Sequence, residues 1–325
     1  MLSPNAGLPI AASSAAALDL DVSALMWGGL GLLVIAMLAI DLRVFARREA
    51  PQLRESAVWS AVWLVLALAF GALFWAWQGG EAGGQYLAGY LIERSLSLDN
   101  IFVFAVILGY FAVPAAVQPK VLVWGIALAL VLRLGFILAG AALLDAFHAT
   151  FYVLGGLLLY TAWKLVRHDD EKIEPEHNPA LRLLRGRVPM SADYHGDRLV
   201  ARVAGRRVAT PLLAVFVVVA TTDIVFAIDS IPAIFAVTEE PFIVFAANAF
   251  AILGLRALYF VLVGMMDRFV YLSHGLSVIL AFIGAKMLLI DLWHPPIWLS
   301  LAVIVGVLAV TAVLSLRAAP KRTPA

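Results

Sequence analysis

Apolar runs of about 20 residues, the length needed to cross a bilayer as a helix, recur along almost the whole chain. Scanning for them gives about nine: Leu25 to Phe45, Ala57 to Trp77, Tyr86 to Phe111, Val121 to Leu144, Phe151 to Arg167, Pro211 to Val237, Phe242 to Met266, Leu272 to Leu292 and Ile297 to Leu316. In hydrocarbon every backbone polar group must be satisfied within the protein, so runs of this kind fold as helices. The expectation is an all-α polytopic membrane protein with about nine transmembrane helices. Composition agrees, with 63% hydrophobic and 14% charged residues, far from the balance of a soluble domain. A net charge of +1 and almost no soluble surface on which to concentrate it leave no nucleic-acid-binding face. The chain has no cysteine, which excludes disulfides, thiolate metal sites and cysteine nucleophiles.

Short loops set the orientation, because Lys and Arg are retained on the cytoplasmic side. Arg43, Arg47, Arg48, Arg54, Lys120, Arg268 and the tail residues Arg317, Lys321 and Arg322 fall on one side, whereas the loops near Glu81, Asp145, Glu239 and Asp291 carry no Lys or Arg. Nine spans then run from an outside N-terminus to a cytoplasmic C-terminus in the inner (plasma) membrane. Residues 1–24 lack the basic start of a cleaved signal and read as a translocated, extracytoplasmic tail. Residues 25–77 hold two N-terminal helices, and 297–325 the last helix and a cytoplasmic tail.

One segment, 168–210, breaks the apolar pattern, with seven of the 22 acidic and eight of the 23 basic residues. It reads as a cytoplasmic linker anchored at the membrane surface. HDDEKIEPEHNP is expected to be a loop, and ALRLLRGRV a short interfacial helix turning Arg182, Arg185 and Arg187 toward headgroups. Alternation around Gly205 in DRLVARVAGRRVA fits a hairpin.

The linker divides two similar halves, residues 86–167 and 211–292, each of three spans. SLDNIFVFA aligns with TTDIVFAID, placing Asp99 on Asp223 and Phe102 on Phe226; Arg133 then falls on Arg256, Gly140 on Gly264 and Lys164 on Lys286. Three spans are an odd number and the linker does not cross, so the second half enters from the opposite side. Such inverted repeats build many secondary transporters, with the substrate site near the midplane where the halves meet.

Buried charge marks where to look. A carboxylate at mid-membrane costs at least about 2.5 to 3.5 kcal/mol on insertion scales, which makes it a functional candidate by default. Glu93, Asp99, Asp223 and Asp229 qualify; Asp41, near a helix end, needs only to snorkel or pair with Arg43. At 100° per residue Glu93, Ser97 and Asn100 share a face, as do Thr222 with Asp229 and Asp223 with Ser230, while Asp99 points about 100° from Asn100. Pro232 is expected to kink or break its helix and free carbonyl oxygens. Asn248 either ligates an ion or bonds between helices. Carboxylate, amide, hydroxyl and carbonyl oxygens make a hard ligand set suited to Mn, Mg or Ca. The six histidines fall in loops, at helix ends or in and beside the linker. Deep Arg133 and Arg256 are expected to support the site by pairing with one acid each, leaving a formal charge of minus two for one divalent cation. Lys164 and Lys286 are expected to snorkel, and Trp75, Trp77, Tyr86, Trp293 and Trp298 to form interfacial belts.

ERSLSLDNIFVFA, the block DIVFAIDSIPAIFAVTEEPFIVFAANAFAILGLRALYF and the linker DYHGDRLVARVAGRRVATPL closely resemble the TerC family of integral membrane proteins, especially its Alx-like members, over about Ala24 to Leu316. That family is associated with metal-ion homeostasis, chiefly manganese export, and by name with tellurium resistance. The resemblance implies that Asp99, Asn100, Asp223 and Asp229 match the family's transmembrane acidic motifs, with Glu93 preceding the first. Together these readings give an alternating-access exporter of a divalent cation, Mn²⁺, with no resident cofactor and with release driven by protonation of the carboxylates. Two other readings compete. A membrane scaffold acting through the basic linker would survive Asp99→Asn. An intramembrane aspartyl protease would share a proton between two aspartates, but the chain lacks the Tyr-Asp and Gly-x-Gly-Asp contexts of such enzymes.

Overall fold

The computed structural model describes residues 20, 22–45, 53–167, 178–203, 205–263, 271–293 and 295–318. Most of the expected tail, almost all of the HDDEKIEPEHNP loop, Gly264, Arg47, Arg48, Arg268, Lys321, Arg322, His168, His177 and His294 lie outside the described residues.

The architecture is helical: α1 (Ala24–Phe45), α2 (Leu53–Gln78), α3 (Gly80–Tyr110), α4 (Gln118–Ala146), α5 (Ala149–Arg167), α6 (Pro179–Arg187), β1 (Val200–Val203), β2 (Arg206–Ala209), α7 (Pro211–Phe235), α8 (Pro241–Leu253), α9 (Leu255–Leu262), α10 (Leu272–Leu288) and α11 (Ile297–Ala318). Among the described residues six helices are long and apolar enough to cross a membrane, or seven if α8 and α9, bent by 42° at Gly254, form one span. The other two expected spans fall on α3, whose 31 residues include Glu93, Arg94 and Asp99, and on α10, which has 17 residues. Nine helical spans therefore remain an expectation, while the all-α polytopic class stands.

Local chemistry explains the breaks. Proline opens α6, α7 and α8 within their first turns, where its missing N–H breaks no helical bond. Gly79 alone joins α2 to α3 at a φ of +92°, a left-handed turn that only glycine adopts without strain. Pro232 behaves differently from expectation: α7 runs unbroken through it to Phe235, because Pro232 sits in the last turn, where little helix remains to disrupt. The break lies instead at Gly254, where Arg94 Nη1 donates to the carbonyl of Ala251 at 2.9 Å and satisfies an oxygen freed by the end of α8.

Every residue of α8 from Phe242 to Leu253 is buried, so this helix forms the centre of the core. Around it, α3 packs on α8 and α4 on α7, α3 meets α7, and α5 lies along α10. The pairing is reciprocal: the first helix of each half contacts the second helix of the other. Gly155 and Gly284 allow α5 and α10 to approach closely, since a Cβ on either would lie 3.0 or 2.9 Å from the other's carbonyl oxygen. Large apolar side chains on α1, α2, α5 and α11, such as Leu32, Leu73, Val153 and Trp298, face outward, as they do where lipid is the solvent. Trp75, Trp77, Trp293 and Trp298 are exposed, but Tyr86 is fully buried among Phe70, Phe74, Tyr90 and Phe250 and donates to Ala67 O at 3.1 Å. It is a core residue, not a belt residue.

The described part of the linker, from Asn178 on, is folded and docked. Its short helix α6 is capped by Asn178, whose Oδ1 accepts from the amides of Ala180 and Leu181. The expected hairpin pairs Val200 with Ala209 and Val203 with Arg206 around Gly205, at φ +81°. Tyr194 donates to Phe111 O at 2.7 Å, just past the end of α3, and Lys120 pairs with Asp197 at 2.6 Å. The end of α3 and the start of α7 at Thr210 thus meet one docked segment.

Candidate cation site

Two adjoining polar places lie between the halves. One is a cavity of about 930 Å³ lined by Asp99 and Asn100 from α3, Thr161 and Lys164 from α5, and Thr222, Asp229 and Ser230 from α7. Thr161 donates to Asp229 Oδ1 at 2.9 Å. Asn178, Pro179 and Ala180 line the cavity as well, and Asn178 Nδ2 donates to Thr221 Oγ1 at 2.8 Å, tying the linker to α7.

The second place is a closed polar centre. Arg133 of α4, only 1% exposed, meets Glu93 of α3 and Asp223 of α7 in a buried ion triad. Its Nη1 donates to Glu93 Oε1, to Ser230 Oγ at 3.1 Å and to Asn248 Oδ1 at 3.4 Å, and its Nη2 to Asp223 Oδ1 at 3.3 Å. Ser97 Oγ also donates to Glu93 Oε1 at 3.3 Å. Glu93 Oε2, Asp223 Oδ2, Asn248 Nδ2 and Arg133 Nε are buried without a hydrogen-bond partner. Formal charges there sum to minus one.

The shared faces read from the sequence are visible here. Thr222 and Asp229 both reach the cavity, and Asp223 and Ser230 both reach Arg133. The five expected ligands do not form one cage. Asp99, Asn100 and Asp229 line the cavity, whereas Glu93 and Asp223 are held by Arg133. Among the described residues no group of three or more His, Asp or Glu side chains is placed to hold a metal ion.

Arg256 does not support the site. It donates to the Asp41 carboxylate at 2.6 Å and to the Asp41 carbonyl at 2.9 Å, so Asp41 pairs with Arg256 and not with Arg43. The expected one-to-one pairing fails because Arg133 takes two acids while Arg256 faces α1. Thr161, Thr221 and Asn178 were missed. A threonine in an apolar helix gives little signal, but Asn-Pro directly before ALRLL is a helix-start signature.

The family model described as "Integral membrane protein TerC family" matches residues 78–323. An uncharacterized membrane protein of Myxococcus xanthus is 48% identical over 292 residues, covering 90% of this chain and 92% of its own. A protein of Escherichia coli K12 named as membrane-bound redox modulator Alx is 45% identical over 303 residues, 90% of this chain and 94% of its own. An uncharacterized membrane protein of Mycobacterium bovis is 43% identical over 277 residues, 83% of this chain and 69% of its own. No solved structure matches the chain.

Proposed function

The chain belongs to the TerC family of integral membrane proteins, and on that premise we propose that it exports a divalent metal cation, Mn²⁺, by alternating access. One observation carries the reading: Asp99 and Asn100 from the first half and Thr222, Asp229 and Ser230 from the second line a single cavity inside an apolar bundle. Two carboxylates, an amide and hydroxyls supply hard oxygen donors, which favour Mn²⁺ or Mg²⁺ over softer metals. The volume of about 930 Å³ accommodates a cation that keeps part of its water shell.

Reciprocal packing of the halves supports the transport reading, as does the docked linker, which touches the end of α3 and the start of α7. A first helix that ends where its counterpart begins is what an inverted repeat requires, and halves so related rock about a site between them. In the inner membrane, with the linker cytoplasmic, the cavity end at Asn178 is the entry side. Protonating Asp99 and Asp229 outside releases the ion. The protein performs no covalent chemistry. With no cysteine in the chain, the redox role in the name of the Alx relatives reaches this protein through the cellular metal pool; tellurium resistance, given by the family's name, follows the same route.

The test measures intracellular manganese in cells lacking the protein, complemented with wild type, Asp99→Asn or Asp229→Asn. Wild type should lower manganese, and the two variants should not, although they reach the membrane in equal amounts. Neutral variants as effective as wild type would sink the ion-site reading and leave the scaffold reading.

A further inference from the structure

The closed centre crowds its oxygen acceptors onto one end of a guanidinium. Three oxygens from three helices, Glu93 Oε1 of α3, Ser230 Oγ of α7 and Asn248 Oδ1 of α8, converge on one nitrogen, Nη1 of Arg133. That nitrogen carries two N–H bonds, so the acceptors around it outnumber its donors. Meanwhile Nε, which a well-fitted carboxylate fork would engage, is buried without a partner. Glu93 Oε2 and Asp223 Oδ2 are likewise buried and unpartnered. An oxygen cage around a point, with two spare carboxylate oxygens at its edge, is how hard divalent cations are held.

The cage and the cavity share a residue. Ser230 belongs to both places, since its residue lines the cavity and its Oγ accepts from Arg133. An ion in the cavity beside Asp229 is one residue from the cage.

We propose that Arg133 Nη1 holds the seat of a cation at an inner station made by Glu93, Asp223, Ser230 and Asn248, and that loading this station requires Arg133 to withdraw. The proposal rests on the transport reading and adds a tethered competitor to it. An arginine that fills the station whenever the ion leaves spares the protein a state with two bare buried carboxylates, which is strongly unfavourable. It also keeps the two halves joined when empty, because the helices that donate the oxygens come from both. Transport then becomes an exchange of one cation for another, the second being part of the chain. The other deep arginines face elsewhere: Arg256 bonds Asp41, and Arg94 turns to Ala251 O.

The experiment is equilibrium binding of Mn²⁺ to purified protein in detergent, comparing wild type, Arg133→Gln, Arg133→Lys and Asp229→Asn. Arg133→Gln opens the seat and should bind Mn²⁺ about tenfold or more tightly, or bind one more ion per chain. Arg133→Lys keeps a tethered charge and should bind as wild type does. Should Arg133→Gln not fold, the double variant Arg133→Gln/Asp223→Asn, which has the wild-type charge sum, is compared with Asp223→Asn alone and should still bind more tightly. A folded Arg133→Gln or double variant with unchanged or weaker binding than its reference overturns the proposal. If Asp229→Asn binds as wild type does, the transport reading itself has failed, whatever Arg133 shows.

Discussion

Asp41 and Arg256, 215 positions apart in the chain, form a buried pair in which the guanidinium holds both the carboxylate and the backbone carbonyl of the aspartate. Both residues are almost completely buried. The pair fastens α1, outside the repeated halves, to α9, the short helix just after the bend at Gly254. Removing the carboxylate takes an ion-pair partner from a buried guanidinium: Asp41→Ala should cost about 3–5 kcal/mol and lower the melting temperature in detergent. The double variant Asp41→Leu/Arg256→Met should recover most of that loss, and a double-mutant cycle of melting temperatures measures the coupling.

Gly284→Ala should destabilise by about 1–3 kcal/mol through overpacking, because its Cβ would stand 2.9 Å from the carbonyl oxygen of Gly155. Gly156→Ala is the control one residue along, with nothing within 4 Å of the added carbon. There the helix propensity of alanine should leave the melting temperature unchanged or raised.

Thr161→Val keeps the volume and removes the hydroxyl that donates to Asp229. On the proposed site, one hydrogen bond to the Asp229 carboxylate corresponds to about a fivefold to tenfold change in binding. Mn²⁺ efflux from loaded vesicles should therefore persist with a half-saturating concentration raised by that factor, where Asp229→Asn abolishes it.

Acid should loosen the linker. The Lys120 ammonium bonded to Asp197 holds that carboxyl below its ordinary value of 3.8. A carboxylate with a lowered folded pKa contributes stability that is fully present above the unfolded value and lost as pH falls through the folded one. Docking of the hairpin should be constant from neutral pH to about pH 5 and weaken below the ordinary carboxylate range. Pepsin cleavage within residues 188–210, followed from pH 5 to pH 2 in wild type and in Lys120→Gln, reads this out. The wild type should start better protected and converge on the variant at the acid end; because the pair is exposed, the difference should be small.

What was legible in the sequence was the part that violates lipid chemistry. Asp99, Asn100 and Asp229 stand out as polar groups in apolar runs, and helical periodicity alone assigns Thr222 with Asp229 and Asp223 with Ser230 to common faces. The hairpin around Gly205 and the helix after Asn178 announced themselves by alternation and by Asn-Pro. What periodicity cannot give is which buried charge meets which. Arg133 and Arg256 occupy equivalent places in the aligned halves, yet one takes two carboxylates and the other reaches outside the repeat to Asp41, because the helix beside each differs. The bend is a second case. Proline predicts a break at Pro232, but the cost of proline depends on how much helix follows it, and the bend falls at Gly254, where Arg94 bonds the carbonyl of Ala251.

The hydrogen bond from Asn178 to Thr221 sets where this polypeptide can be divided. A cut between Arg167 and Asn178 would leave α6 and the hairpin attached to the second half, with Tyr194 and Asp197 still presented to Phe111 and Lys120 of the first. A cut after Thr210 would put Asn178 and Thr221 on different fragments and take part of the cavity lining away from α7. Two separately expressed fragments should therefore reassemble when the break precedes Asn178 and fail when it follows Thr210, which would make residues 178–210 the leading edge of the second half and not a tether between two bodies.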